Sequence, residues 1–222
     1  MPAMSLVLHG YHYSVYLRIA RLTLAEKGLS HERVEVNPFT PEIPADYLTL
    51  HPFGRVPTLV HDGFVLYETG AITRYLDRAF AGPALQPDRA RALARMDQII
   101  AVVDSYGYWP MVRQVFSHGV FGPAMGRPSD KAEVERGLIG AIKVLGALES
   151  LAAPDGFLVG PAISLADFHL GAMVAYFTSM PAAADLLARH PRLAAWWALV
   201  RQRKSFGETD PGLPNSLDVT KA

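Results

Sequence analysis

Two periods of hydrophobic spacing alternate along the first eighty or so residues. SLVLH (5–9) is a short apolar run closed by Gly10, and it predicts a strand. SVYLRIARLTLAEKG (14–28) carries its apolar side chains at helical spacing and predicts a helix stopped by Gly28. ERVEV (32–36) alternates and ends at Asn37-Pro38, a strand followed by a turn. TLVH and FVLY flank Asp62-Gly63, a dipeptide suited to a two-residue hairpin. TGAITRYLDRAF then sets Ile72, Tyr75, Leu76, Ala79 and Phe80 on one face of a helix. The predicted order is β-α-β, a connecting segment, then β-β-α.

From residue 81 the pattern changes. AGPALQPDRA (81–90) is rich in Gly and Pro and reads as a linker between a domain at 1–81 and a second at 88–222. Beyond it strand signals fade, and an all-α domain is predicted. PDRARALARMDQIIAVVDSYGYW reads as one long helix, with Pro110 marking a kink or break. Residues 129–152 predict another, and its three internal glycines predict close helix packing. SLADFHLGAMVAYFTS and PRLAAWWALVRQRK supply at least two more. Ser164 and Asp167 form a capping box, with Ile163 and Phe168 at the positions of a hydrophobic staple. That is a local folding device rather than a catalytic pair. Trp196 and Trp197 are expected to pack the last helix, and from Gly207 the chain shows no period and is expected to be loose.

Composition narrows the classes of function. Half of the 222 residues are apolar and 19% are charged, enough for a real core. Lys+Arg and Asp+Glu balance at 21 each, which argues against a nucleic-acid or polybasic membrane partner. The sequence has no cysteine, so disulfides, thiolate metal sites and protein-borne thiol chemistry are excluded. His9 and His12 stand three apart, but no third ligand accompanies them, so no metal is expected. MPAMSLVLHG lacks the layout of a signal peptide, and Asp167 and His169 interrupt the longest apolar stretch. A cytoplasmic protein is expected.

HPFGRVPTLVHDGFVLYETGAITRYLD (51–77) contains two features that simple structure does not require. Pro57 heads the strand that begins at Thr58, and Glu68-Thr69 ends the next strand where a helix starts. A cis proline at the head of a strand would leave the backbone before it, at Val56, free to pair with an extended ligand. Thr69 is a natural N-cap, and the helix after it directs N–H groups and partial positive charge at an anion. Glu68 can take an ammonium. An extended backbone with an α-amino-acid head, as in glutathione, matches all three.

These residues resemble the glutathione-binding half of the cytosolic glutathione transferases, whose pattern is roughly N-P-x-G-x-V-P-x-L followed by E-S-x-A-I-x-x-Y-L. Here the counterparts are HPFGRVPTL and YETGAITRYL, while SVYLRIARLTLAEKGL is similar to the family's first helix and the capping box to one in its helical domain. The resemblance spans nearly the whole chain and is to a bacterial member with a theta/phi-like, serine-type motif. It implies a thioredoxin-like β-α-β-α-β-β-α domain with Pro57 as the cis proline, followed by an all-helical domain. It further implies that Val56 pairs with the cysteinyl part of glutathione, that Glu68 and Thr69 hold the γ-glutamyl head, and that Arg55 contacts the glycyl end or fixes the loop. Ser14 stands where serine-type members place the catalytic residue. The chain departs from the pattern at Val15, His51, Gly70 and Glu42.

The implied activity is transfer of the glutathione thiol to a small hydrophobic electrophile, with glutathione as cosubstrate and no metal. Glutathione-dependent peroxidase, isomerase or ether-cleaving activity, or a binding module without turnover, are the alternatives. Lack of cysteine removes reactions that pass through a mixed disulfide with the protein. Ser14 would lower the thiol pKa by donating a hydrogen bond to sulfur. Tyr11 and Tyr13 are alternative activators, or lining of the same cleft. Tyr106, Tyr108, Trp109, Arg113 and Phe116 are candidate walls of an electrophile pocket expected between the domains. A homodimer is implied, with Phe53 as a candidate anchor.

Overall fold

The computed structural model describes residues 5–214. They form two compact units, one reaching Ala84 and taking in Thr209–Pro211, the other running from Leu85 to Glu208.

The first unit is a four-stranded sheet with three helices. In chain order come β1 (Leu6–Gly10), α1 (Val15–Glu26), β2 (Glu32–Glu35), α2 (Ala45–Leu50), β3 (Thr58–His61), β4 (Phe64–Tyr67) and α3 (Thr69–Ala79). The connecting segment thus contains α2, and the order is the β-α-β-α-β-β-α of a thioredoxin-like domain. Spatial order is β2-β1-β3-β4, with β2 parallel to β1 and the other pairs antiparallel. Asp62 (φ 48°) and Gly63 (φ 84°) make the tight turn between β3 and β4, as their identities predict. At the end of α1, Gly28 takes φ 66°, and Leu29 N–H reaches the Leu24 carbonyl at 2.9 Å while Gly28 N–H reaches that of Ala25 at 3.1 Å. Glycine alone enters that conformation without a steric cost, which is why the helix stops there.

Leu6, Leu8, Leu17, Leu59, Ile72 and Leu76 bring β1, α1, β3 and α3 into one core. Lys27, beyond the end of α1, is buried in this unit, and its Nζ donates to Asp77 Oδ1 (3.2 Å) and to the carbonyls of Asp77 and Pro83 (both 3.1 Å). One ammonium with three acceptors therefore ties α1 to α3 and to the chain that leaves it. The segment expected to be loose after Gly207 is partly fixed. Lys204–Glu208 is helical, with Phe206 buried, and the Thr209 carbonyl accepts from Arg21 of α1 at 3.1 Å. Residues 215–222 of that segment lie outside the described residues.

The second unit is helical: α4 (Ala90–Val102), a π-helical segment (Val103–Phe121), α5 (Gly122–Ala124), α6 (Lys131–Leu151), α7 (Leu165–Phe177), α8 (Pro181–Ala188), α9 (Pro191–Val200) and α10 (Lys204–Glu208). Pro110 does not end the helix, contrary to one half of the sequence expectation; it lies inside the π-helical segment. The wider turn of that helix relaxes the clash that a proline ring makes with the preceding α-turn. Gly137 and Gly140 of α6 explain how a neighbour tolerates this turn. A Cβ on Gly137 would stand 2.7 Å from the Pro110 carbonyl oxygen, and one on Gly140 would stand 3.1 Å from its Cβ. Gly146, the third glycine, has nothing within 4 Å and takes no part in close packing. α7 is buried along most of its length, the centre of this unit, and the capping box of Ser164 and Asp167 starts it.

Candidate functional site

Strand register decides where the marked residues meet. His9 pairs with Thr58, and Thr58 pairs with Tyr67. The end of β1, the start of β3 and the end of β4 therefore lie side by side at one edge of the sheet. Ser14 follows the first, Val56-Pro57 precede the second, and Glu68-Thr69 follow the third. Three stretches spread between residues 14 and 69 arrive at one place because β1 and β4 run the same way and β3 runs against both.

Ser14 is the N-cap of α1 (φ −72°, ψ 124°), and its Oγ accepts the Leu17 N–H at 3.3 Å. It is partly exposed, and among the described residues nothing accepts its hydroxyl proton. A serine so placed caps a helix with one lone pair and still has a donor to offer. Tyr11 and Tyr13 stand beside it. Their rings meet edge to face at 5.6 Å, Tyr11 also meets Phe39 at 5.7 Å, and the Tyr11 carbonyl accepts the Ser14 N–H at 2.8 Å.

The Val56-Pro57 bond is cis, as expected. Among the described residues no backbone partner meets the N–H or C=O of Val56, since β3 begins two residues later. Arg55 is exposed. The start of α3 corrects one detail. Thr69 is not the N-cap but the first helical residue, and Glu68 is the N-cap. Glu68 takes φ 70°, ψ 114°, and its carbonyl receives the N–H groups of Ala71 (2.9 Å) and Ile72 (3.0 Å). That turn leaves the N–H groups of Thr69 and Gly70 without a backbone acceptor among the described residues, facing out of the helix start. It also leaves the Glu68 side chain exposed and uncommitted to capping. A positive φ at a non-glycine residue is sterically costly and collects at functional sites. Asp62 in the hairpin is the other such residue among those described.

Two more residues of this region are placed only by the structure: in the sequence His51 stands out as a departure from the family pattern and Tyr47 not at all. His51 is 2% exposed and lies over the Tyr67 ring at 4.6 Å and 30°. Burial holds its imidazole below the usual histidine range, against the pull of the Glu68 charge. Tyr47 of α2 donates its Oη–H to the Arg55 carbonyl at 2.6 Å. No periodicity marks a phenol whose acceptor lies eight residues on.

Of the candidate electrophile-facing residues, Tyr106 (67%) and Trp109 (61%) are exposed on the π-helical segment, and Tyr108 and Arg113 are partly buried there. Phe116 is not beside them at the surface. It is buried within the helical unit, on Tyr176 at 4.6 Å. No group of three or more His, Asp or Glu side chains among the described residues could hold a metal. His12 instead meets Arg33, with Nδ1 and Nη1 2.9 Å apart.

Known proteins share both halves. Residues 8–84 match the family described as glutathione S-transferase, N-terminal domain, and residues 131–198 match glutathione S-transferase, C-terminal domain. The chain is 30% identical over 210 residues to glutathione S-transferase 3 of Zea mays, covering 94% of this chain and 95% of that one. It is 29% identical to glutathione S-transferase F10 of Arabidopsis thaliana, over 85% of this chain and 89% of the relative. A solved structure of glutathione S-transferase III in apo form superposes with a TM-score of 0.81 at 32% identity, covering 95% of this chain and 97% of that one. A glutathione S-transferase I bound with lactoylglutathione follows at 0.79 and 26%, covering 92% and 97%. With the predicted motifs meeting at one edge of the expected sheet, and with relatives matched along nearly their full length, the chain belongs to the glutathione S-transferase superfamily.

Proposed function

We propose that this glutathione transferase is of the serine type, with Ser14 activating the thiol of glutathione for attack on a small hydrophobic electrophile. The observation that carries this reading is Ser14 itself, a helix N-cap with a spare hydroxyl proton at the sheet edge where Val56 and the start of α3 also end. Free thiols titrate near about pH 8.5, so only a few per cent is thiolate at neutral pH. A hydroxyl that donates to sulfur favours the charged form, and the N-terminus of α1 adds to the effect. Lowering a thiol by about two units takes about 2.7 kcal/mol, within reach of one charge-assisted hydrogen bond and the helix end together. Because Oγ also accepts from Leu17, the donated bond is strengthened by cooperativity. Glutathione supplies the nucleophilic thiol; the protein binds, orients and polarises.

In this reading the Val56 backbone pairs with the peptide, as a strand is added to a sheet edge. Glu68 takes the α-ammonium, and the carboxylate of the same head meets Thr69 and the free N–H groups of α3. Arg55 is exposed beside the glycyl end. Tyr106, Trp109 and Arg113 serve the electrophile. Phe116 belongs to the interior and is a support rather than a wall. Tyr11 and Tyr13 line the thiol side. The domain division at 1–81 and 88–222, a cytoplasmic location, a role in detoxification and a two-fold homodimer with Phe53 as an anchor complete the proposal. Phe53 is 70% exposed, as an anchor for a partner would be before assembly.

The test is turnover of a panel of aryl halides, enones, epoxides and hydroperoxides with and without glutathione, beside calorimetry with glutathione alone. Conjugation dependent on glutathione is expected. Absence of binding at millimolar glutathione overturns the site. Light scattering at micromolar concentration tests the dimer, and a monomer overturns it.

A further inference from the structure

We propose that Tyr47 is a positioning residue for glutathione, because its phenol fixes the main chain that the peptide must pair with. The inference rests on the reading of Val56 as the peptide-binding strand. Tyr47 is 4% exposed, on the short helix α2. Its Oη lies 2.6 Å from the Arg55 carbonyl oxygen and 3.0 Å from Thr58 Oγ1. A carbonyl can only accept, and a phenol has one proton. The Tyr47 hydroxyl therefore donates to Arg55 and accepts from the Thr58 hydroxyl. A single oxygen thus holds both residues that flank Val56-Pro57.

Among the described residues no other hydrogen bond reaches the main chain of Arg55 or Val56. The nearest bond upstream is Gly54 N–H to the His51 carbonyl at 2.9 Å, and the ladder downstream begins at Thr58. The phenol is itself held. Its ring stands 6.0 Å from His9 of β1 and 6.4 Å from His51, and the Tyr47 carbonyl accepts the His51 N–H at 2.9 Å. Burial raises its pKa above the usual tyrosine range, so it stays a donor at neutral pH. Removal of the hydroxyl should leave the ring packed and free the backbone of Arg55 and Val56. Glutathione would then have to order that backbone on binding, and affinity would fall. The thiol chemistry at Ser14 would not change, since among the described residues no hydrogen bond joins Tyr47 to Ser14.

The experiment is Tyr47→Phe, with wild type measured first. If wild type does not bind glutathione at millimolar concentration, the peptide-binding reading fails and this proposal with it. If it binds, calorimetry should show the dissociation constant of Tyr47→Phe for glutathione raised roughly 5- to 10-fold, as loss of one ordering hydrogen bond implies. At saturating glutathione, kcat and the KM for the electrophile should stay within about twofold, and the pKa of the bound thiol should not move. An unchanged dissociation constant overturns the proposal, and so does a fall in kcat without a change in affinity. Should Tyr47→Phe fail to fold, Thr58→Val removes the hydroxyl from which Tyr47 accepts, loosens the phenol's hold on Arg55 and should weaken glutathione in the same direction but by less, with Thr58→Ser restoring it. Equal affinity in both Thr58 variants then overturns the proposal.

Discussion

Trp196 Nε1 donates to Oδ1 of Asp167 at 2.7 Å, joining α9 to the first turn of α7. The same carboxylate accepts the N–H of Leu158 (2.9 Å), the N–H of Ser164 (2.7 Å) and the Ser164 hydroxyl (2.8 Å). Asp167 is fully buried, and burial pushes its carboxyl above the usual range while these four donors hold it back. A capping device has thus become the junction of α7, α9 and the loop before α7.

Trp196→Phe keeps a ring in place and removes one donor from a buried carboxylate. It should destabilise the protein by about 1.5–3 kcal/mol in urea unfolding, the usual cost of a hydrogen bond to a charged group. Activity per folded molecule should be unchanged. A loss under about 0.5 kcal/mol would mean that the remaining three donors suffice.

Ser14→Ala and Ser14→Gly separate the capping role of the Ser14 hydroxyl from its proposed role at the thiol. Alanine should cost about 0.5–2 kcal/mol of stability as a poor cap, and glycine only a few tenths. Both should lower conjugation at neutral pH by roughly 10- to 100-fold, with recovery at high pH where the thiol ionises unaided. Ultraviolet titration of bound thiolate reads the pKa directly. If neither variant moves it, Ser14 is only a cap, and the same titration on Tyr13→Phe and Tyr11→Phe follows.

Glu68 adopts φ 70°, which glycine would enter freely. Glu68→Gly should therefore keep or raise the stability, by up to about 1 kcal/mol, while weakening glutathione binding by about 1–3 kcal/mol through the lost ammonium contact. Thermal melts and calorimetry on one sample test both halves. Unchanged affinity would remove Glu68 from the site.

Acid should destabilise the fold through histidines that are buried or partly buried. His9, His31 and His51 all have pKa values lowered chiefly by burial. Below about pH 6.5 the unfolded chain takes up protons that the folded chain refuses. The stabilising contribution of these groups is therefore complete above that pH and is lost as pH falls through it. Melting temperatures between pH 8 and 5 should fall more steeply for wild type than for His51→Asn. Parallel curves would show that His51 titrates alike in both states.

Local physics was enough for the elements. Alternation, helical spacing, Asp62-Gly63, Gly28 and the capping box each act within a few residues, so the strands and most helices could be read directly. The motif at 51–77 was legible because a proline before a strand and a polar pair before a helix serve no local need. The failures have one cause in common. Pro110 looked like a break because its tolerance depends on a wider turn packed against glycines of α6. Residues 207–208 looked loose because Phe206 anchors them through burial, which has no period in a short segment. Thr69 looked like the cap because composition shows which side chains favour a cap, not where the backbone turns, and Glu68 turns at positive φ. Tyr47 carried no mark at all, since its acceptor lies across a loop. What the sequence determined was the order of elements and which residue types stand at Ser14, Val56 and Glu68. Only the tertiary structure decided that these meet, because pairing of His9 with Thr58 and of Thr58 with Tyr67 is a property of strand register, set by burial of Leu8, Leu59 and their neighbours in a common core.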